Sequence, residues 1–148
     1  VDASGVRVVR RRQRRPLAGL PQAPAKPVHL LTVTVGSDGA LLSGATKGLA
    51  PAGVVVAATG AGNAPADVLG VCRALMARGT TVVLTTRCPA GAAQPAYGFP
   101  GGGAEWARAG AILSPLDGPK CRVGLALGIG ATLNRTELEH VLWATPSS

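Results

Sequence analysis

The sequence predicts an α/β fold: a three-layer sandwich built on a mostly parallel sheet. Three observations carry that expectation. Short runs such as "VHLLTVTV", "GVVVAAT" and "TTVVLTTR" are rich in β-branched residues, and the latter two are apolar enough to be strands buried on both faces. Helical apolar spacing lies between such runs, and strands alternating with helices make parallel βαβ units. With 148 residues and 47% hydrophobic content, the chain has the material for an ordinary single core.

The elements follow in order. Residues 1–27 form a basic, proline-rich interdomain linker, with Val6–Arg10 as a short strand and Pro16, Pro21, Pro24 and Pro27 each discouraging helix before them. The α/β domain then runs over residues 28–148. Val28–Val35 is its first strand, stopped by Gly36-Ser37-Asp38-Gly39, and "ALLSGATKG" is a short helix closed by Gly48. "GVVVAAT" is the second strand. Pro65 suits the first turn of a helix continuing through "ADVLGVCRALMARG", whose Val68, Val71, Cys72, Leu75 and Met76 form one apolar stripe.

Thr80–Arg87 is the third strand, and "AEWARAGAIL" holds a short helix and the last strand. Asp117 and Pro119 open the helix "DGPKCRVGLALGIG". Asn134 and Glu137 make a capping box before "NRTELEHVLWA". The beginning at Val1, which reads like the tail of a turn and strand, suggests a piece of a longer polypeptide.

Charge and cysteine content narrow the function classes. The net charge is +8, yet Arg7, Arg10, Arg11, Arg12, Arg14, Arg15 and Lys26 lie in the leading segment against Asp2 alone. The domain itself is therefore close to neutral. An arginine cluster can neutralise phosphates, so a non-catalytic nucleic-acid-binding module using this arm is the alternative reading. No aromatic residue interleaves with "RRRQRR" to stack on bases, which disfavours it.

Cys72, Cys88 and Cys121 are odd in number and lack CxxC spacing, which reads as reduced thiols in a cytoplasmic chain and not as a disulfide framework or zinc ribbon. No apolar run approaches the roughly 20 residues of a membrane span.

Two loops leave the carboxyl ends of strands, where α/β sheets gather ligands: Gly60–Asn63 and Arg87–Gly91. A dinucleotide fingerprint needs glycine where this chain has Pro65, and the P-loop Gly-Lys-Ser/Thr is missing. No nucleotide cofactor is expected. Nor does the sequence contain a Gly-x-Ser-x-Gly elbow or metal-ligand spacing, so no metal is expected either. His29 and His140, in a strand and on a helix, read as structural. Cys88 sits beside Arg87, which can lower a thiol pKa, but no histidine is near it in sequence.

The blocks "VVVAATGAGNAP", "ALMARGTTVVLTTRCPAG", "YGFPGGG", "ARAGAI" and "PKCRVGLALG" occur in an order and spacing that resembles the C-terminal half of bacterial-type L-asparaginases. The resemblance covers residues 28–130 and extends to the equivalent domain of the archaeal tRNA-dependent amidotransferase D subunit. It implies a Rossmann-like three-layer α/β domain of an amidohydrolase that converts L-asparagine to aspartate and ammonia through a threonine nucleophile, without metal or cofactor.

In that family the nucleophile, in a Thr-Gly-Gly-Thr motif, and a Thr-Asp pair with its lysine belong to an N-terminal domain; neither motif occurs here, and Thr85-Thr86 is followed by no Asp. This chain alone is therefore expected to be inactive. The resemblance further implies a homo-oligomer in which a Gly-x-Gly-Asn loop reaches into the neighbouring subunit's site, mapping onto Gly60, Gly62 and Asn63.

Pro65 stands where periplasmic members have a second Asn, so the chain is similar to the cytoplasmic branch. Those periplasmic members also supply a Glu before the last strand; the matching position here is Gly103, with Glu105 as the other candidate. Some cytoplasmic-type members hold an allosteric asparagine near the region of Cys88. From the residues alone Asn63 has two readings: a helix N-cap or turn former, or an amide presented to a substrate.

Overall fold

The computed structural model describes residues 27–143. Four strands pair in parallel in the order β1-β2-β3-β4, with β1 Val28–Thr32, β2 Gly53–Ala58, β3 Thr81–Thr86 and β4 Ile112–Leu113. Five helices accompany them: α1 Gly39–Ala45, α2 Ala66–Met76, α3 Gly103–Ala109, α4 Gly118–Gly130 and α5 Arg135–Leu142. The expected parallel α/β sandwich is what the chain forms.

Sequential strand order has a direct consequence. Right-handed crossovers between neighbours that always step the same way place every connecting helix on one face. Val54, Val56, Ala58, Val82 and Leu84 accordingly share one core with Leu42, Val68, Cys72, Leu75 and Trp106 of α1, α2 and α3. The other face, carrying Val28, Val55, Val83 and Ile112, packs on Cys121 and Leu125 of α4 and Leu138 and Leu142 of α5. β2 is buried at all six positions, which is why it reads as a continuous apolar run. Each such Val or Leu contributes roughly 1.5–3 kcal/mol of burial.

Several boundaries differ from the sequence expectation, each for a local reason. β1 ends at Thr32, not Val35, because the Thr34 N–H donates to Ser37 Oγ at 2.8 Å and the Ser37 N–H returns to Thr34 O at 3.1 Å. That turn leaves Val35 fully exposed. Asp38 belongs to the helix and not to a strand terminator: its carboxylate accepts the Ala40 N–H and caps α1. α1 then stops at Ala45, where the Thr46 hydroxyl donates to Leu42 O, and Gly48 with φ +71 lies beyond it.

The stripe on α2 is buried or half-buried as read, but the helix closes at Met76 with Gly79, at φ +89, turning the chain into β3. The α4 cap by Asp117 and the α5 capping box of Asn134 and Glu137 form as expected. Val6–Arg10 and the arginine arm lie outside the described residues.

Helix α4 approaches β2 so closely that the strand must be bare there. A Cβ on Gly53 would sit 2.6 Å from Leu125 Cδ2. Replacing Gly53 by Ala therefore crowds Leu125 and is expected to cost about 1–3 kcal/mol, while Leu125→Ala opens a cavity costing about 2–5 kcal/mol. Because the new methyl falls into the space vacated, the double variant should lose less than the sum of the two. Urea unfolding of the four proteins checks this; strict additivity would contradict the packing described.

Candidate functional site

β2 and β3 run in register to their ends, Ala58 opposite Thr86, and the Arg87 N–H donates to Ala58 O at 2.8 Å. The loops that follow therefore leave the sheet side by side. In the first, Thr59 and Asn63 close a small ring: the Thr59 N–H donates to Asn63 O at 3.0 Å, and the Asn63 N–H to Thr59 O at 2.9 Å. The Thr59 hydroxyl adds a third bond to Asn63 O at 2.9 Å. Gly60 at φ +50 and Gly62 at φ +103 let the backbone turn this tightly.

The backbone of Asn63 is thus saturated and its side chain is not. Asn63 is half-buried, and its Oδ1 has no hydrogen-bond partner among the described residues. The N-cap reading of Asn63 is set aside by the geometry: the cap position of α2 is Pro65, with no side-chain cap, and Asp67 instead receives the Val68 and Gly39 N–H groups.

The second loop meets the first through sulfur. The Gly60 N–H donates to Cys88 Sγ at 3.3 Å. Hydrogen bonding from Thr86 and then from Gly60, with a smaller push from the Arg87 charge, holds the Cys88 thiol below its usual range. Burial does the opposite elsewhere, pushing Cys72 up to about 12 and raising Cys121. All three are free thiols.

A third segment braces the ring from behind. The Gln94 N–H donates to Ala61 O at 2.9 Å, and the Ala64 N–H donates to Gly101 O at 3.0 Å. Gly101, at φ +81, lies so close that a Cβ there would be 2.0 Å from Ala64 O. Trp106 Nε1 donates to the same Gly101 carbonyl at 3.1 Å. Gly103 is buried against Gln94 and Ala61, so it offers contact and no functional group. The Glu105 carboxylate is engaged inside the chain, accepting the Gly101 N–H at 2.7 Å and pairing with Arg73 at 2.9 Å.

Thr85 and Thr86 are engaged inside the chain. The Thr85 hydroxyl donates to Leu116 O, and Thr86 Oγ1 accepts the Cys88 N–H. His29 is half-buried in β1, its Nε2 without a hydrogen-bond partner among the described residues, and His140 is exposed on α5. Among the described residues, no three His, Cys, Asp or Glu side chains come together as a metal cluster, and no helix is long and apolar enough to cross a membrane. Cavities of about 410 Å³ and 220 Å³ lie elsewhere, at the amino ends of β3 and β4 and between α1 and α2.

With this geometry in place, comparison with known proteins is decisive. The family model of the glutaminase/asparaginase C-terminal domain matches residues 27–142. The chain belongs to that family. A probable L-asparaginase of Deinococcus radiodurans is 39% identical to this asparaginase-family domain over 90 residues, which is 60% of this chain and 27% of that protein. The matched stretch thus spans about a quarter of the relative's length.

Sequence reasoning picked out Gly60, Gly62 and Asn63 but missed the brace formed by Arg73, Gly101 and Glu105. The signal available was a Glu at the third position of a helix that begins at Gly103 and follows Gly101 and Gly102.

The two ring glycines are predicted to differ in their tolerance. At Gly62 a Cβ would lie 2.9 Å from Leu84 Cδ2 on an unfavourable backbone; at Gly60 only Asn63 Nδ2, at 3.8 Å, is near. Gly62→Ala should cost at least about 2 kcal/mol, combining strain with the clash. Gly60→Asn should cost under about 1 kcal/mol, because Asn adopts the left-handed region readily. Denaturant midpoints of the two variants check the difference, and equal losses would refute it.

Proposed function

We propose that this chain is the substrate-positioning part of an L-asparaginase, an amidohydrolase converting L-asparagine to aspartate and ammonia. The observation that carries the reading is the Asn63 amide. Its backbone is fully bonded, its loop is braced on two sides, and its buried carbonyl oxygen has no partner among the described residues. Leaving a buried acceptor unpaired costs about 1–3 kcal/mol, a cost recovered if the α-ammonium of an amino acid donates to it. The Nδ2 group is available in the same amide to a carboxylate.

In this reading the attacking threonine hydroxyl comes from an N-terminal asparaginase domain. It adds to the side-chain carbonyl carbon, ammonia leaves, and water then releases aspartate from the acyl-enzyme. Asn63 takes no part in bond-making; holding the amino-acid end fixes the carboxamide against the nucleophile, where orientation governs rate. No cofactor or metal enters these steps.

A homo-oligomer completes the proposal. Exposed Val35, Leu41, Tyr97 and Phe99 all lie on connections leaving the carboxyl ends of strands, the same end as Asn63. These are four of the seven exposed large apolar side chains among the described residues, Leu49, Val123 and Trp143 lying elsewhere, and their grouping supports a partner seated there.

Two measurements test the reading. The 148-residue chain alone should release no ammonia from asparagine. Grafting residues 27–142 into the Deinococcus radiodurans relative, in place of its matching stretch, should give turnover that Asn63→Ala lowers by roughly 100-fold in kcat/KM. Unchanged kcat/KM in a folded Asn63→Ala graft, or turnover by the isolated chain, would defeat it. For assembly, light scattering should show the chain as a dimer or larger, and Tyr97→Asp with Phe99→Asp should shift it toward monomer; a monomeric wild-type chain at high concentration would count against the interface.

A further inference from the structure

We infer that Glu105 is a positioning residue for Asn63, acting through Gly101 and not merely capping its own helix. The inference rests on the reading of Asn63 given above only for its functional consequence; the mechanical coupling stands by itself.

A helix-capping Glu at the third position ordinarily reaches back to the N–H of the N-cap residue, while the cap side chain returns the favour. The chain contains that arrangement in full at α5, where Asn134 and Glu137 bond reciprocally. At α3 the cap is Gly102, which has no side chain to return the bond. Glu105 reaches one residue further, to the N–H of Gly101, and its other oxygen takes the guanidinium of Arg73 from α2. The carboxylate is therefore directed at the segment behind the Asn63 ring.

What Gly101 does with that hold explains the consequence. Its carbonyl accepts the Ala64 N–H at 3.0 Å, the residue directly after Asn63, and also the Trp106 indole at 3.1 Å. Three partners thus fix one residue through the two peptide groups that flank it: Glu105 on its N–H, Trp106 and Ala64 on its carbonyl oxygen. Asn63 has no comparable anchor of its own beyond the ring, since Pro65 supplies no cap. The exit of the ring is as well placed as Gly101 is.

Charge adds a handle. Gly101 first, then Arg73, hold the Glu105 carboxyl below its ordinary 4.5, with Arg108 on α3 as a smaller contributor. A depressed carboxylate keeps its bonds above the unfolded value and loses them only as pH falls through the lower, folded one. Coupling to Asn63 should follow the same window.

Nuclear magnetic resonance of the 148-residue chain tests this without any substrate, so the outcome is independent of whether asparagine is the ligand. In Glu105→Ala the Ala64 amide should exchange at least tenfold faster and the Asn63 side-chain NH2 signals should move, while exchange at core Val55 stays unchanged. On acidification of the wild type, those Asn63 signals should titrate with a midpoint below 4.5. Glu105→Gln should abolish that titration, and Arg73→Met should raise its midpoint.

Ala64 exchange and Asn63 signals that ignore Glu105→Ala would reduce the residue to a helix cap and overturn the inference. Should that variant not fold, a titration surviving in Glu105→Gln would overturn it equally.

Discussion

The site depends on one pairing: β2 and β3, parallel, in register, and ending together at Ala58 and Thr86. Parallel strands must be connected by a crossover, so their following loops emerge at the same end of the sheet. When the two strands also stop level, the loops leave as neighbours. The bond from the Arg87 N–H to Ala58 O extends the ladder one step past the strand and sets the Cys88 sulfur against the Gly60 N–H. A slip of one residue in this register would turn every side chain of one strand to the opposite face. Burial of all six β2 positions makes such a slip costly, because apolar contacts on both faces would be lost together. The same burial that stabilises the domain therefore sets the position of its loops.

How much of this was legible beforehand divides along physical lines. Strands β2 and β3, the α2 stripe and the caps of α4 and α5 are written in local composition, and local composition decided them. Asp38 reads as part of a turn, since an Asp within Gly36-Ser37-Asp38-Gly39 suits either a turn or a cap; only the Ala40 N–H resolves it. β1 ended early because a Thr-Ser side-chain turn competed with the ladder, an effect that β-propensity does not register. For the site, the glycine loop was visible as spacing, and its tightness follows from two positive φ angles. The brace was not visible. Arg73 looks like any solvated residue on the polar side of α2, and its pairing with Glu105 spans 32 residues of sequence.

Pro65 and the missing Gly-Lys-Ser/Thr speak against a phosphate loop in the sequence, but nothing in the spacing shows that the loop closes into a ring. Both begin with glycines after a buried strand. Phosphate loops leave successive N–H groups free to converge on an anion. Here the N–H groups of Thr59, Gly62 and Asn63 are turned into the ring, and that of Gly60 faces a sulfur. Strand order points the same way: a dinucleotide crevice opens where successive crossovers switch faces, and the order β1-β2-β3-β4 contains no reversal. The N–H groups of Thr59, Gly60, Gly62 and Asn63 are thus spent on rigidity, while the Asn63 side-chain carbonyl is not.

That trade suits a half-site. A loop contributing to a centre completed by another domain or subunit cannot rely on the ligand to shape it, because the ligand's other contacts lie on a different body. It must hold its geometry in advance, and ordering it only on binding would subtract from the binding energy. The ring bonds, the Gly62 packing on Leu84 and the three-way hold on Gly101 accomplish this ordering within the domain. Rigid support also leaves a cost at the loop: Asn63 Oδ1 is one of two buried side-chain atoms, with His29 Nε2, that have no hydrogen-bond partner among the described residues. A structural asparagine at such a position would ordinarily turn its carbonyl to a neighbouring N–H. The N–H groups of Thr59, Gly60, Gly62 and Asn63 already have other acceptors, so this oxygen suits a donor from beyond them.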